Sequence, residues 1–240
     1  MAGELPNHPD PATPGASAGS APSAGRVGAP SDRTQVRRLA ERGSYGLEEI
    51  CAILDEGFVC HLGFAGRDGR PVVIPTFHWR IGDTVYWHGS SASRMVKAGA
   101  AGGQVCLTVS ILDGYVLARS GYNHSVNYRS VMCFGMPRLV SDRDEVLVAL
   151  KSFMDRLVPG RWEGLRPPNE REMKATGVLA MEIDEASAKV RAAPPGDDPG
   201  DESWPSWGGV LPVHTVAGPP EPDQYVQGRF KAPPTPFAKE

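Results

Sequence analysis

The stretch RPVVIPTFHWRIGDTVYWHGSSASRMVKA, residues 70–98, decides the fold. Two runs of β-branched and aromatic residues flank a turn at Gly82 and Asp83, which predicts two antiparallel strands joined by a tight connection. Pro75 interrupts the first run, and because proline cannot donate to a strand ladder, this strand is expected to lie at an edge or to carry a bulge. The second run ends in glycine and serines, and SRMVKAGAA then predicts a short helix that begins near Ser93 and Arg94.

The turn between the second strand and this helix allows two interpretations. Glycine and serine form turns in any protein, and an arginine beside them is usually solvated. The free N–H groups at a helix start also favour an anion, and an arginine adds charge-assisted hydrogen bonds to a phosphate. In the second interpretation Ser93 and Arg94, at the start of the predicted helix, hold a phosphate.

The rest of the central region repeats the strand pattern. FVCHLGFA precedes the quoted stretch and predicts a meander of three strands from Phe58 to Gly89. Further strands are predicted in QVCLTVSIL, YVLARS, NYRSVMCFGMPRLVS and GVLAMEIDEASAKVRA, and helices in GLEEICAILDEG and DEVLVALKSFMDRLV. Six or seven strands with short turns predict a mainly β protein, an antiparallel barrel with helices at its rim.

The two ends of the chain differ from this centre. Residues 1–33 are mostly Pro, Ala, Gly and Ser, a composition that cannot bury enough apolar surface to fold, so they are predicted to be disordered. The folded domain is predicted over residues 34–193. Residues 194–240 are again rich in proline, but residues 203–216 contain two tryptophans and an apolar run, and are expected to dock on the barrel or on a partner subunit.

Composition excludes several classes of function. A formal net charge of −3 gives no electrostatic case for binding nucleic acid or an anionic membrane. No apolar run is long enough to span a bilayer, and the N-terminus has no signal-peptide pattern. The four cysteines form no CxxC pair and lie in apolar runs, which is typical of reduced thiols in a cytoplasmic protein. Motifs for Rossmann, P-loop, zinc-protease and serine-hydrolase sites are absent, and the separated histidines predict no metal site.

Six stretches and their order along the chain carry a resemblance to a known family: PVVIPTFHW, GSSASR, LDGYVLARS, NHSVNYRSVMCFG, LVPGRW and EASAKVR. Through them, the segment Gly57–Arg191 resembles the FMN-binding split-barrel family, which contains pyridoxamine 5′-phosphate oxidase. The likeness is closer to the flavin-nucleotide-binding branch, which also holds the nitroimidazole-resistance proteins. The resemblance implies a six-stranded antiparallel split β-barrel that forms a homodimer, with FMN in the grooves between subunits.

The resemblance also implies where the flavin lies. Its ring would lie along the strand residues Val73, Ile74, Pro75 and Thr76. Its phosphate would be held by Ser93 and Arg94, with Ser90 and Ser91 as extra donors. Its other contacts would be Trp87, His88, Arg129, Ser130 and Trp207. His78 and His88 would be catalytic hydrogen-bond or proton donors, although each also has an ordinary interpretation as a structural histidine. His124 and Tyr128 are weaker candidates.

Two departures from the oxidase pattern bear on the substrate. Met95 stands where the oxidase has a lysine after its Ser-Arg pair, and Thr76 replaces a strand lysine. We therefore expect an FMN-dependent oxidoreductase of flavin-reductase or nitroreductase type, using NAD(P)H and a small organic acceptor, rather than a pyridoxamine phosphate oxidase. The alternatives are a biosynthetic tailoring enzyme, a protein using the deazaflavin F420, and a non-catalytic flavin- or haem-binding protein in which His124 or His214 would be the axial ligand.

Overall fold

The structure is a computed structural model that describes residues 28–226 and 232–233. The disorder predicted for residues 1–33 falls mostly outside these residues. Within them, ten strands form one antiparallel sheet: β1 Gly43–Ser44, β2 Val59–Ala65, β3 Pro71–Ile81, β4 Thr84–Ser90, β5 Val105–Leu117, β6 Ser125–Gly135, β7 Arg138–Leu139, β8 Thr176–Glu182, β9 Glu185–Arg191 and β10 Gly209–Pro212. The described helices are α1 Leu47–Glu56, α2 Arg94–Ala100, α3 Arg143–Leu157 and α4 Glu170–Ala175.

The strand order in space is β1-β9-β6-β5-β2-β3-β4-β8-β7, with β10 added beside β5. The predicted meander is confirmed, because β2, β3 and β4 are neighbours in this order. The sheet curls without closing, so the mainly β split barrel is confirmed while the count of six strands is not reproduced.

Two strand predictions differ from the structure. The fourth and fifth predicted strands are one strand, β5, because the Asp113-Gly114 pair forms a bulge, with a register shift between Leu112 and Gly114 in the pairing with β6. The closing segment divides into β8 and β9, because the chain turns at Asp184 after Ile183.

The helices cover two apolar surfaces. α1, which confirms the helix predicted in GLEEICAILDEG, packs Ile50, Ile53 and Leu54 into the barrel core. α3 lies on the other side of the sheet, where Phe153 and its neighbours cover Trp79 and Tyr86. No described helix combines the length and the apolar composition that a membrane span requires.

Candidate functional site

The barrel splits where β3 and β4 separate. β3 pairs with β4 only from His78 to Ile81, and beyond His78↔Trp87 the two strands diverge. Residues 71–77 of β3 pair with β2 alone, and the end of β4 pairs with β8. The β4-facing edge of residues 71–77 therefore has no strand partner in the described chain, as Pro75 predicted for its position. Val73, Ile74, Pro75 and Thr76 all lie on this open segment.

A groove of about 990 Å³ lies between α2 and the hairpin that joins β2 to β3. Its lining includes four cationic side chains: Arg67, Arg70, Arg94 and Lys97. Asp68 is the single acid of that lining, and its carboxylate lies 3.6 Å from Arg70. The remaining three cations give the groove a positive potential that favours an anion.

The serines of the turn mainly hold its shape. Ser93 caps α2, with its Oγ accepting the N–H of Val96 at 3.2 Å, as the sequence predicts. Ser91 donates its hydroxyl to the carbonyl of Lys174, and Ser90 Oγ accepts the N–H of Ala92. The turn thus positions Arg94 at the groove. Ser91 donates to Lys174 near the end of α4, whereas Ser90 and Ser93 act in these hydrogen bonds as acceptors.

Trp87 and His88 point away from the groove lining. Trp87 is buried in the barrel core. His88 faces α3, with its ring 5.0 Å from the ring of Phe153 and 5.6 Å from that of Trp79. Burial lowers the pKa of His88, so the ring is neutral at pH 7. The placement of these two side chains does not support the flavin contacts expected for them.

His78 lies inside the molecule. It is 1% exposed, and its Nε2 lies 3.0 Å from the carbonyl oxygen of Leu54 on α1. Burial, with the nearby positive charge of Arg156, lowers the pKa of His78 to about 4. A neutral imidazole whose hydrogen bond joins α1 to β3 fits the structural interpretation of His78. The catalytic role of His78 stays a prediction, and its buried position does not support that role.

Arg129 belongs to an ion-pair network rather than to the groove. Its guanidinium contacts Asp113 at 2.7 Å and Glu56 at 2.7 Å, and these two hydrogen-bonded carboxylates raise its pKa. Ser130 donates to the carbonyl of Lys189 at 3.2 Å. Because two carboxylates already compensate Arg129, it has little charge to offer a ligand of the same subunit.

The C-terminal segment returns to the sheet. Gly209–Pro212 form β10 against β5, and the Arg119–Asp197 ion pair, at 2.6 Å, ties the preceding segment to the end of β5. Trp207 lies over Gly209 and remains 60% exposed. The part of residues 203–216 that forms β10 therefore docks on its own barrel, and the Trp207 ring faces outward.

The sequence interpretation missed Arg67 and Arg70 as site residues. The only signal was two arginines within the turn GRDGR, a pattern that solvated turns also show. Among the described residues, no group of three or more His, Cys, Asp or Glu side chains converges in a way that could hold a metal ion.

A second surface runs along the outside of the sheet. We call it the outer sheet face, and its residues come from β2, β3, β5 and β6: Val59, His61, Val73, Pro75, Phe77, Thr108 and Met132. Its large apolar side chains are unusually exposed, at 63% for Val73, 45% for Val59, 44% for Phe77 and 41% for Met132. A contiguous apolar patch of this kind marks an interaction surface.

A split barrel with a cationic groove beside an open strand edge defines a protein of the flavin-binding split-barrel class. The chain belongs to the pyridoxamine 5′-phosphate oxidase family, whose model matches residues 47–190. No curated protein matches the chain.

Solved structures agree with this assignment. The flavocytochrome Anf3 of Azotobacter vinelandii is 48% identical with a TM-score of 0.81, and the match covers 86% of this chain and 95% of that one. An FAD- and haem-binding protein of Mycobacterium smegmatis is 34% identical with a TM-score of 0.76, over 80% of this chain and 94% of that one. A protein of Bacteroides thetaiotaomicron named for 5-nitroimidazole antibiotic resistance is 22% identical with a TM-score of 0.51, over 60% and 82%, and shows the fold alone.

Proposed function

We propose that the chain is a flavin-dependent oxidoreductase that takes electrons from NADH or NADPH and passes them to a small organic acceptor. The observation that carries the proposal is the cationic groove beside the open edge of β3. In the overall reaction the nicotinamide loses a hydride, and the acceptor gains two electrons with one proton from that hydride and one from solvent. The bound flavin would supply the redox chemistry, and the protein its binding and orientation.

The groove provides the groups that a flavin phosphate needs. Arg94 presents a guanidinium that forms paired hydrogen bonds to phosphate oxygens, and Lys97 adds charge one helical turn away. The open segment of β3 offers unpaired backbone groups to the polar edge of a flavin ring. FMN is the proposed cofactor. FAD is the alternative, for which Arg67 would meet a second phosphate. The name of the Mycobacterium relative includes FAD.

We propose a homodimer in which a second copy covers the outer sheet face and so completes the cofactor site. Support comes from the exposure of Val73, Phe77 and Met132 on that face. Large apolar side chains that stay in water cost free energy, and a second copy would remove them from it. Trp207, which faces outward on its own subunit, would then be available to a partner's flavin, as the family resemblance implies.

A cytoplasmic location is proposed from the cysteines. All four thiols are free, and burial raises the pKa of Cys60 to about 12 and also raises that of Cys133. Proteins of a reducing compartment keep their cysteines as free thiols, whereas oxidising compartments favour disulfides, so four free thiols support this proposal.

The proposal is tested by an absorption spectrum of the purified full-length protein, with mass spectrometry of the compound that heat releases. Release of FMN, FAD or F420 identifies the cofactor by mass. Anaerobic addition of NADH or NADPH should then bleach the flavin band. A protein that neither carries nor takes up flavin would overturn the proposal, and a bound flavin that neither nicotinamide reduces would leave a non-catalytic flavin carrier or sensor.

Haem binding beside the flavin is a second candidate function. The names of the Azotobacter and Mycobacterium relatives include a flavocytochrome and haem. The specific observation in this chain is an exposed imidazole, that of His61, at the centre of the apolar outer sheet face. An imidazole within an apolar surface is the donor set that a b-type haem requires.

A further inference from the structure

His61 is the side chain of the outer sheet face that can carry a positive charge. It is exposed at the middle of β2, and its cross-strand neighbours are Pro75 of β3 and Thr108 of β5. Val73 and Phe77 lie diagonally from it on the same face and are also exposed. Because the charge of a histidine ordinarily changes between pH 5 and 8, the charge of this face depends on pH.

The side chains around this imidazole offer no carboxylate to stabilise a proton on it. In the described chain, the neighbouring strands place these residues on the face of His61: Val73, Pro75 and Phe77 of β3, and Cys106, Thr108 and Ser110 of β5. The thiol of Cys106 is the titratable group among them, and its Sγ lies 3.6 Å from the hydroxyl oxygen of Thr108. The imidazole of His61 itself has no hydrogen-bond or ion-pair partner within the described residues.

The charged groups near the start of β2 do not supply a counter-charge either. Asp55 and Glu56, at the end of α1, are ion-paired with Arg80 and Arg129 respectively. The guanidinium of Arg156, from α3, lies 4.7 Å from the centre of the aromatic ring that precedes β2. A cation at this end of the strand opposes a second positive charge on it.

The outer sheet face suits contact with a second copy of itself. A two-fold dimer pairs the same patch on both subunits. Since the other residues of the face are uncharged, two copies meet without like-charge repulsion as long as both His61 imidazoles are neutral. When no haem occupies the face, the second copy would cover the imidazole itself. A protonated imidazole would then be buried without a counter-charge, which is unfavourable.

We propose that His61 makes the homodimer pH-dependent, a proposal that rests on the homodimer proposed above. The neutral imidazole allows the two outer sheet faces to pack, and protonation opposes this packing. The dimer therefore dissociates as pH falls, and each imidazole takes up one proton from solvent as the subunits separate. Because the second copy completes the cofactor site, acidification also weakens flavin binding.

The size of the effect follows from the linkage between proton binding and dissociation. An exposed histidine ordinarily has a pKa of about 6.5, so both the dimer and the separated subunits are unprotonated well above this value, and Kd is constant there. Below it, only the separated subunits bind the proton. With two imidazoles per dimer, the Kd for dissociation should rise roughly 100-fold between about pH 7.5 and pH 5.5.

The experiment is sedimentation equilibrium of the full-length protein at about pH 7.5 and pH 5.5, with circular dichroism to check the fold. Wild type should show the weaker dimer at the lower pH. His61→Gln is neutral at both values and should dimerise equally at both, whereas His61→Lys is charged at both and should weaken the dimer at both. His124→Gln is the matched control at an exposed histidine outside this face, and it should keep the wild-type pH dependence. Buried His78, whose pKa is about 4, stays uncharged at both values.

The outcomes separate this proposal from those on which it rests. A wild type that is monomeric at both pH values would refute the homodimer and the pH proposal together. A dimer with the same Kd at both values would overturn the pH proposal and leave the homodimer standing. An unchanged pH dependence in His61→Gln, or its loss in His124→Gln, would overturn the assignment to His61. Flavin content is measured on the same samples, and a pH-dependent dimer that takes up no flavin would overturn the flavin proposal alone.

Discussion

Replacing Arg94 with alanine tests the cationic groove most directly. Arg94 is exposed at the first residue of α2 and lines the groove, and within the described residues its side chain has no ion-pair partner. The substitution therefore leaves no buried charge unpaired, and alanine is a strong helix former, so the free energy of unfolding should stay within about 0.5 kcal/mol of wild type.

Flavin affinity should respond much more strongly than stability. A hydrogen bond to a charged group contributes about 1.5–3 kcal/mol, so Arg94→Ala should raise the Kd for flavin by roughly 10- to 150-fold. Arg94→Lys keeps the charge but loses the planar fork of donors, and its Kd should fall between those of wild type and the alanine variant. Because the groove is open to solvent, higher salt should weaken wild-type binding more than binding by Arg94→Ala.

The assay is fluorescence titration of apoprotein with FMN and, separately, with FAD, beside urea unfolding of each variant. Arg171→Ala is the matched control, because Arg171 is an exposed arginine on α4 outside the groove lining. An Arg94→Ala variant that is folded and binds both flavins with unchanged affinity would remove Arg94 from the phosphate site. Equal losses in Arg94→Ala and Arg171→Ala would show a general charge effect instead.

Three further perturbations test the fold and the assembly. The pKa of buried His78 is about 4, so as pH falls from about 6.5 to 4 the unfolded chain is protonated at this histidine while the folded protein is not. The free energy of unfolding should therefore decrease by about 3 kcal/mol over this range. His78→Gln should abolish most of this decrease, measured by urea unfolding at each pH. A Cβ at Gly177 would lie 2.5 Å from a methyl group of Val96 on α2, so Gly177→Ala should destabilise the protein by about 1–3 kcal/mol in the same assay, and an unchanged midpoint would contradict this packing. Val73→Glu on the outer sheet face should give a monomer in light scattering, whereas Val148→Glu, at an exposed position on α3, should leave the dimer; a monomeric wild type would refute the proposed dimer.

The local elements could be predicted from the sequence because their signals are short-range. Alternating side chains define β2, β3 and β4, and the apolar spacing of α1 and α3 is helical. The serine cap of α2 follows from the preference of Ser93 for that position. Pro75 indicated a strand edge because the missing N–H is a property of the residue itself.

Other features depended on neighbours that are distant in sequence. In the sequence, Asp113 and Gly114 resemble a turn between two strands. In the structure they form a bulge within β5, because β6 and β10 both pair with this strand at Gly114. Arg129 was expected at the flavin, but it forms ion pairs with Glu56 of α1 and Asp113 of β5. Glu56 is distant from Arg129 in sequence, and only the tertiary fold brings α1 next to it.

The candidate site shows the same division. The sequence by itself determined the strand pattern, the turn that carries Arg94 and the likeness to a flavin-binding family. Only the tertiary structure decided that Arg67 and Arg70 join Arg94, that Trp87 points inward, and that His61 stands on an exposed apolar face. The physical reason is that a side chain's direction along a strand follows from alternation, whereas which of the two faces becomes core depends on what the rest of the chain packs against it.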